Sequence, residues 1–161
     1  MKKKILIILL IFLIIVLISL TFIKINYSNK EFTDILIQNH YTLESKTLKG
    51  EKISNVNGFE IEIENTIYKY KKNDIIMYIY LYESYDEAKQ LVEENIEQNN
   101  SLGLNTTVTT DSFYILQKEC AVDEYCTYEL AIDKYYITID SSSEELNKKI
   151  EKELDTILKE M

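Results

Sequence analysis

Nineteen consecutive residues, Ile5 to Ile23, hold only two polar side chains, Ser19 and Thr21, and follow directly on Lys2, Lys3 and Lys4. A bilayer's hydrocarbon core takes about 20 apolar residues at helical rise, so this run predicts a transmembrane helix. It outlasts the h-region of a cleaved signal, about 7–15 residues, and no A-x-A-like site follows it, which favours an uncleaved signal anchor. Lipid modification at the anchor has no cysteine to use, because Cys120 and Cys126 are the only two in the chain. Basic residues set orientation: Lys2, Lys3 and Lys4 precede the run, whereas Lys24 and Lys30 are the only ones in the next twenty positions. The expectation is a single-pass cell-membrane protein, N-terminus cytoplasmic and C-terminal domain extracytoplasmic. The organisation read this way is a basic tail (1–4), an anchor (5–23), a short helix and connecting segment (24–58), and an α+β domain (59–161) that continues from it.

Beyond the anchor the apolar positions recur with two periods. Ser28-Asn29-Lys30-Glu31 has capping-box form, and Phe32, Ile35 and Leu36 follow at helical spacing, which predicts a short helix to about His40. A short strand over Tyr41–Thr47 follows. Phe59-Glu60-Ile61-Glu62-Ile63-Glu64 alternates strictly, as a half-buried strand does. Ile75–Tyr82 alternates Ile75, Met77, Ile79 and Leu81 against Ile76, Tyr78, Tyr80 and Tyr82. Because a one-residue slip exchanges the faces, the loop between these strands sets the pairing. A three-residue loop, Lys71-Lys72-Asn73, puts Ile67 opposite Met77 and Ile63 opposite Leu81. A two- or four-residue loop puts tyrosines over Ile67 and Asn65 instead. The odd loop sets apolar on apolar and is the expectation.

Ser84-Tyr85-Asp86-Glu87 opens a second helix, with Ala88, Leu91, Val92 and Ile96 on one face, ending near Asn99-Asn100. One or two strands fall within 104–118. Cys126–Ile132 and Tyr135–Asp140 form a hairpin about Asp133-Lys134, pairing Leu130 with Ile137 and Tyr128 with Ile139. The run Ser141-Ser142-Ser143-Glu144-Glu145 caps a last helix whose stripe is Leu146, Ile150, Leu154, Ile157 and Met161. The predicted fold is thus α+β, an antiparallel sheet with helices packed on one face. Its strand-strand-helix unit occurs twice, at about 59–99 and 112–161.

Residues 24–161 carry 15 lysines and all 27 carboxylates, a net charge of −12, and the chain has no arginine. Nucleic-acid binding needs a basic stripe, so that class is excluded. Cys120 and Cys126 are the best-defined pair. The register that puts Leu116 opposite Leu130 and Tyr114 opposite Ile132 also brings the two sulfurs together, so a disulfide is expected in an oxidising compartment. Tyr78, Tyr80 and Tyr82 form a candidate interaction stripe on the outer sheet face, since tyrosine offers rigid contact area with a polar tip. Glu60, Glu62 and Glu64 are spaced too widely along a strand to share one ion and read as a solvated face. His40, the only histidine, falls at a helix end. No metal site, cofactor site or catalytic motif is found.

The lysine-led anchor, Phe32-Thr33-Asp34-Ile35-Leu36 leading to Tyr41-Thr42-Leu43, and Tyr80-Leu81-Tyr82-Glu83 with Asp86-Glu87-Ala88 form an ordered pattern. Tyr135-Tyr136-Ile137-Thr138-Ile139 and the lysine-rich helix after it complete the pattern. In this order of features the chain resembles a loose group of uncharacterised small membrane-anchored proteins of low-GC Gram-positive bacteria. The resemblance implies the anchored architecture and carries no active site, and the cysteine pair lies outside it. The function expected is binding: a membrane-anchored interaction protein that meets an envelope protein partner. An immunity or inhibitor protein at the envelope is one alternative, and a serine-lysine envelope hydrolase is another.

Overall fold

A computed structural model describes residues 31–54, 60–102, 104–121 and 125–161. Ile5–Ile23, the Ser28-led cap and Phe59 lie outside the described residues. Among those described, no helix is long and apolar enough to cross a membrane.

The chain runs α1 (Phe32–Gln38), β1 (Thr42–Thr47), β2 (Lys52–Ser54), β3 (Glu60–Glu62), β4 (Thr66–Lys72), β5 (Ile75–Leu81) and α2 (Tyr85–Leu102). It continues through β6 (Asn105–Thr110), β7 (Tyr114–Cys120), β8 (Cys126–Ile132), β9 (Tyr135–Ser141) and α3 (Glu144–Lys159). Seven strands build one sheet in the order β1-β4-β5-β9-β8-β7-β6, antiparallel at every junction, while β2 and β3 pair as a separate ribbon. The α+β class with a large antiparallel sheet is as expected.

Helices cover both faces of this sheet, not the single face predicted. On one face α1 and α3 pack against Tyr70, Ile75, Met77, Ile79, Tyr128, Leu130 and Ile137, which are almost wholly buried. On the other, Ala88 and Val92 of α2 meet Ile115 and Ala131. Strands β8 and β9 therefore bury both faces where the helices overlap. Each hairpin, β4–β5 and β8–β9, leads straight into a helix. However, the path from turn residue Asn73 to cap Ser84 is one residue longer than the path from Asp133 to Ser143. Since the pleat alternates faces with a period of two, this one-residue difference accompanies the exit of α2 and α3 to opposite faces.

Local chemistry explains the element ends. The Ser84 hydroxyl accepts from the Glu87 N–H (3.3 Å), and the Glu87 carboxylate accepts from the Glu83 N–H (3.2 Å), one residue earlier than in a standard capping box. Ser143 caps α3 by accepting from the Leu146 N–H at 3.2 Å. Helix α1 starts at Phe32 with Glu31 as its N-cap, and the Glu31 side chain makes no capping hydrogen bond. It ends in a Schellman motif: the Tyr41 N–H bonds the Leu36 carbonyl and the His40 N–H that of Ile37, with His40 at φ 65°. The helix stops at Gln38, two residues short of the expected end.

The β4–β5 register differs from expectation. The loop is the two residues Asn73-Asp74, with Asn73 at φ 53°, so Lys72 pairs with Ile75 and Ile67 with Tyr80. The inward residues of β4 are consequently Tyr68 and Tyr70, opposite Ile79 and Met77. A tyrosine ring fills core space as an aliphatic side chain does while its hydroxyl reaches the rim, so matching aliphatic to aliphatic selected the wrong parity. Ile63 does not pair with Leu81. It closes the ribbon instead, donating to the Glu51 carbonyl and accepting from the Gly50 N–H. The strand expected over 59–64 is only Glu60–Glu62, and it is exposed throughout.

Candidate interaction surface

The β5 residues 76, 78 and 80 alternate onto the same sheet face as α2. That helix lies over β6, β7, β8 and β9. Tyr78 stands beyond it, 39% exposed, with Lys69 of β4 on one flank and Thr138 of β9 on the other. Tyr80 is half-buried beside Ile67, its ring 5.7 Å from that of Tyr136. Tyr82 is half-buried against the α2 cluster. The predicted stripe is thus graded: Tyr78 faces solvent, Tyr80 packs beside Tyr136, and Tyr82 packs against the cluster beneath the helix. Burial raises the hydroxyl pKa of Tyr80 and Tyr82 above the usual tyrosine range, with adjacent tyrosines adding to the effect. Both remain neutral donors at physiological pH.

Glu44 fixes the basic margin of this surface, reaching Lys69 at 2.8 Å and Lys71 at 3.7 Å. These are exposed pairs and contribute little to stability. At the other margin, a shallow groove of about 260 Å³ is lined by Tyr82, Glu87, Gln90, Leu91 and Glu94.

A polar layer lies beneath α2. Both Glu129 oxygens accept from Asn95 Nδ2 at 3.0 Å, and the Tyr136 hydroxyl donates to Glu129 Oε1 at 2.9 Å. Asn99 reaches Glu119 in the same way. Desolvation raises the Glu129 pKa, and the Asn95 and Tyr136 hydrogen bonds partly offset that rise. Gln117 lies between Val108 and Glu129 in register; it is fully buried, and neither its amide nitrogen nor its oxygen has a hydrogen-bond partner among the described residues. Asn95, Gln117 and Glu129 do not stand out in the sequence, and Tyr136 enters there only as part of the Tyr135–Ile139 run. Tyr80 and Tyr136 meet only because β5 pairs with β9, a non-local contact that no short-range pattern announces.

The other candidate residues are dispersed. Cys120 and Cys126 face one another across the ends of β7 and β8, with sulfurs 2.13 Å apart, at disulfide distance. The register that predicts this pair, Leu116 with Leu130 and Tyr114 with Ile132, is the one observed. His40 is exposed at the end of α1. Glu60 and Glu62 lie on the ribbon, Glu60 3.6 Å from Lys52. Among the described residues, no group of three or more His, Cys, Asp or Glu side chains is placed to hold a metal ion. Lys72 and Lys118, two of the partly buried lysines, are each engaged by a carboxylate, Glu153 and Glu151, both at 2.6 Å.

No protein-family model matches the chain, and no curated protein matches it either. A solved structure described as a GTP binding regulator from Thermotoga maritima is similar over 71% of this chain and 78% of its own, with 10% identity and a TM-score of 0.39. That likeness is too distant to carry a functional argument.

Proposed function

We propose that this chain is a single-pass membrane protein that presents its α+β domain outside the cytoplasm and acts by binding a protein partner. Ile5–Ile23 is the anchor in this reading, with Lys2, Lys3 and Lys4 on the cytoplasmic side. The observation that carries the binding role is the uneven cover of one sheet face: α2 lies over β6 to β9, and Tyr78 stands exposed beyond it. A tyrosine whose neighbours Tyr80 and Lys69 are themselves held in place offers contact area at low conformational cost, which suits a protein interface. Acidic charge argues for a protein over a phosphate-bearing partner, because a domain at −12 repels nucleic acid and anionic lipid alike. The paired cysteines support the outward placement, since disulfides persist in oxidising compartments.

The test is a photoreactive residue in place of Tyr78 in the full chain, irradiated in intact cells beside a control at exposed Ser142. Partner adducts from position 78 and none from 142 are expected. An absence of adducts at 78, with the protein at the membrane, contradicts the binding role.

A further inference from the structure

The two edges of the seven-stranded sheet are built differently. At one, β1 is interrupted by a bulge between Leu43 and Ser45 and carries Glu44 and Lys46. Bulges and charges of this kind deter strand addition. At the other, β6 reads Asn-Thr-Thr-Val-Thr-Thr, six residues with no charge, no glycine and no proline. Its register on β7 is unbroken from Asn105 opposite Cys120 to Thr110 opposite Ile115. The Asp111 N–H bonds the Tyr114 carbonyl at 2.9 Å. Antiparallel ladders alternate, so Thr109 and Thr107 also bond to β7, while Thr106, Val108 and Thr110 point their N–H and C=O groups outward. Val108 is 42% exposed, and the two most exposed large apolar side chains among the described residues flank this strand: Leu102 (65%) three residues before it and Phe113 (68%) three residues after.

We propose that β6 pairs antiparallel with β6 of a second copy of this chain, joining two sheets into one across a two-fold axis. The outward groups fix the register. Only pairing centred on Val108 engages all three outward residues of each copy, setting Val108 opposite its counterpart and Thr106 opposite the second copy's Thr110. Each such pair exchanges two hydrogen bonds. The same register brings the Leu102 end of one copy to the Phe113 end of the other, so the exposed apolar groups cover each other.

Charge selects a second copy as the occupant. Two domains of −12 repel over most of their surface, but β6 sets no charged side chain against its own image, and a two-fold contact requires that self-complementarity. Strand addition by a different protein would use the same free groups but gives no reason for the symmetry about Val108.

The full chain in detergent micelles, followed by sedimentation and by cross-linking, tests this. Val108→Cys is expected to form a disulfide-linked dimer on mild oxidation, because hydrogen-bonded antiparallel partners lie about 5.5 Å apart at Cα, within disulfide reach. Lys46→Cys on the β1 edge, with β6 intact, should dimerise as the parent does but form no disulfide cross-link. Val108→Pro removes an outward N–H without touching the β7 ladder, and Val108→Lys sets two ammonium groups at the axis. Each should weaken dimerisation by about tenfold or more and leave the near-ultraviolet tyrosine spectrum unchanged. A parent chain that sediments as a monomer at every loading overturns the proposal, as does a dimer that survives both substitutions. Cross-linking of Val108→Cys in cells to a different protein and not to itself also overturns it, and assigns the edge to a heterologous strand. If a substitution unfolds the chain, the other substitution and the cross-link decide.

Discussion

Gln117 is the most demanding side chain in the core, and replacing it tests the packing beneath α2. It is fully buried on β7, in register with Val108 and Glu129, and among the described residues both ends of its amide are unpartnered. A buried polar group without a partner costs about 1–3 kcal/mol of desolvation. Gln117→Met keeps an unbranched chain of similar volume and removes both orphaned groups, so the variant is expected to gain about 1–3 kcal/mol. For a chain of this size each kcal/mol moves Tm by about 2–4 °C, giving a rise of about 2–12 °C. The assay is urea unfolding of the full chain in mild detergent, followed by tyrosine fluorescence, since the protein has 13 tyrosines and no tryptophan. The midpoint should rise with an unchanged m-value. Ile115→Ala, in the same cluster, serves as the opposite control and should lose about 2–5 kcal/mol. A Gln117→Met variant less stable than its parent would refute the reasoning, because only a satisfied amide is costly to remove.

Three further outcomes follow from the geometry. His40→Gly should stabilise the chain by about 1 kcal/mol, because glycine takes the left-handed conformation found at φ 65° without the penalty of a side chain; a thermal scan measures it. Glu129 has a folded-state pKa raised by desolvation, so it favours folding below its unfolded pKa, and that contribution is lost as pH rises through the folded value. Glu129→Gln should flatten that loss in unfolding curves taken from acid to neutral pH. Removing both cysteines as Cys120→Ala/Cys126→Ala should cost about 2 kcal/mol on the loop-entropy scale for a ring of this length. Reductant should reproduce the loss in the parent and leave the double variant unaffected.

What was legible in the sequence was local. The β8–β9 hairpin and its register follow from one tight turn at Asp133-Lys134 between two strands that each carry a clear aliphatic face. Register on β7 follows because the same parity aligns Leu116, Tyr114 and the cysteines. Serine caps place the starts of α2 and α3 to within a residue. The misreadings have physical causes. Tyr68 and Tyr70 serve as core residues, which reversed the parity of β4–β5. Ile61 and its neighbours alternate well, yet lie on a ribbon too short to bury either face. The second buried face of the sheet is built from Ile115, Ala131, Gln117 and Tyr136, whose single large aliphatic side chain gives no alternating signature, so a helix on that side is not legible in the sequence. Uneven cover of the tyrosine face depends on the strand order β5-β9-β8, which arises from pairing between segments more than fifty residues apart.

The account rests on a domain held outside the cytoplasm, and the cysteine pair reports on that directly. Intact cells carrying the full chain are treated with a membrane-impermeant maleimide, with and without prior treatment by an impermeant reductant. Labelling from outside only after reduction, at the half-buried Cys120 and not at the buried Cys126, is the result predicted. Thiols that react without reduction, and only once the cells are lysed, would place the domain in the cytoplasm and contradict the account.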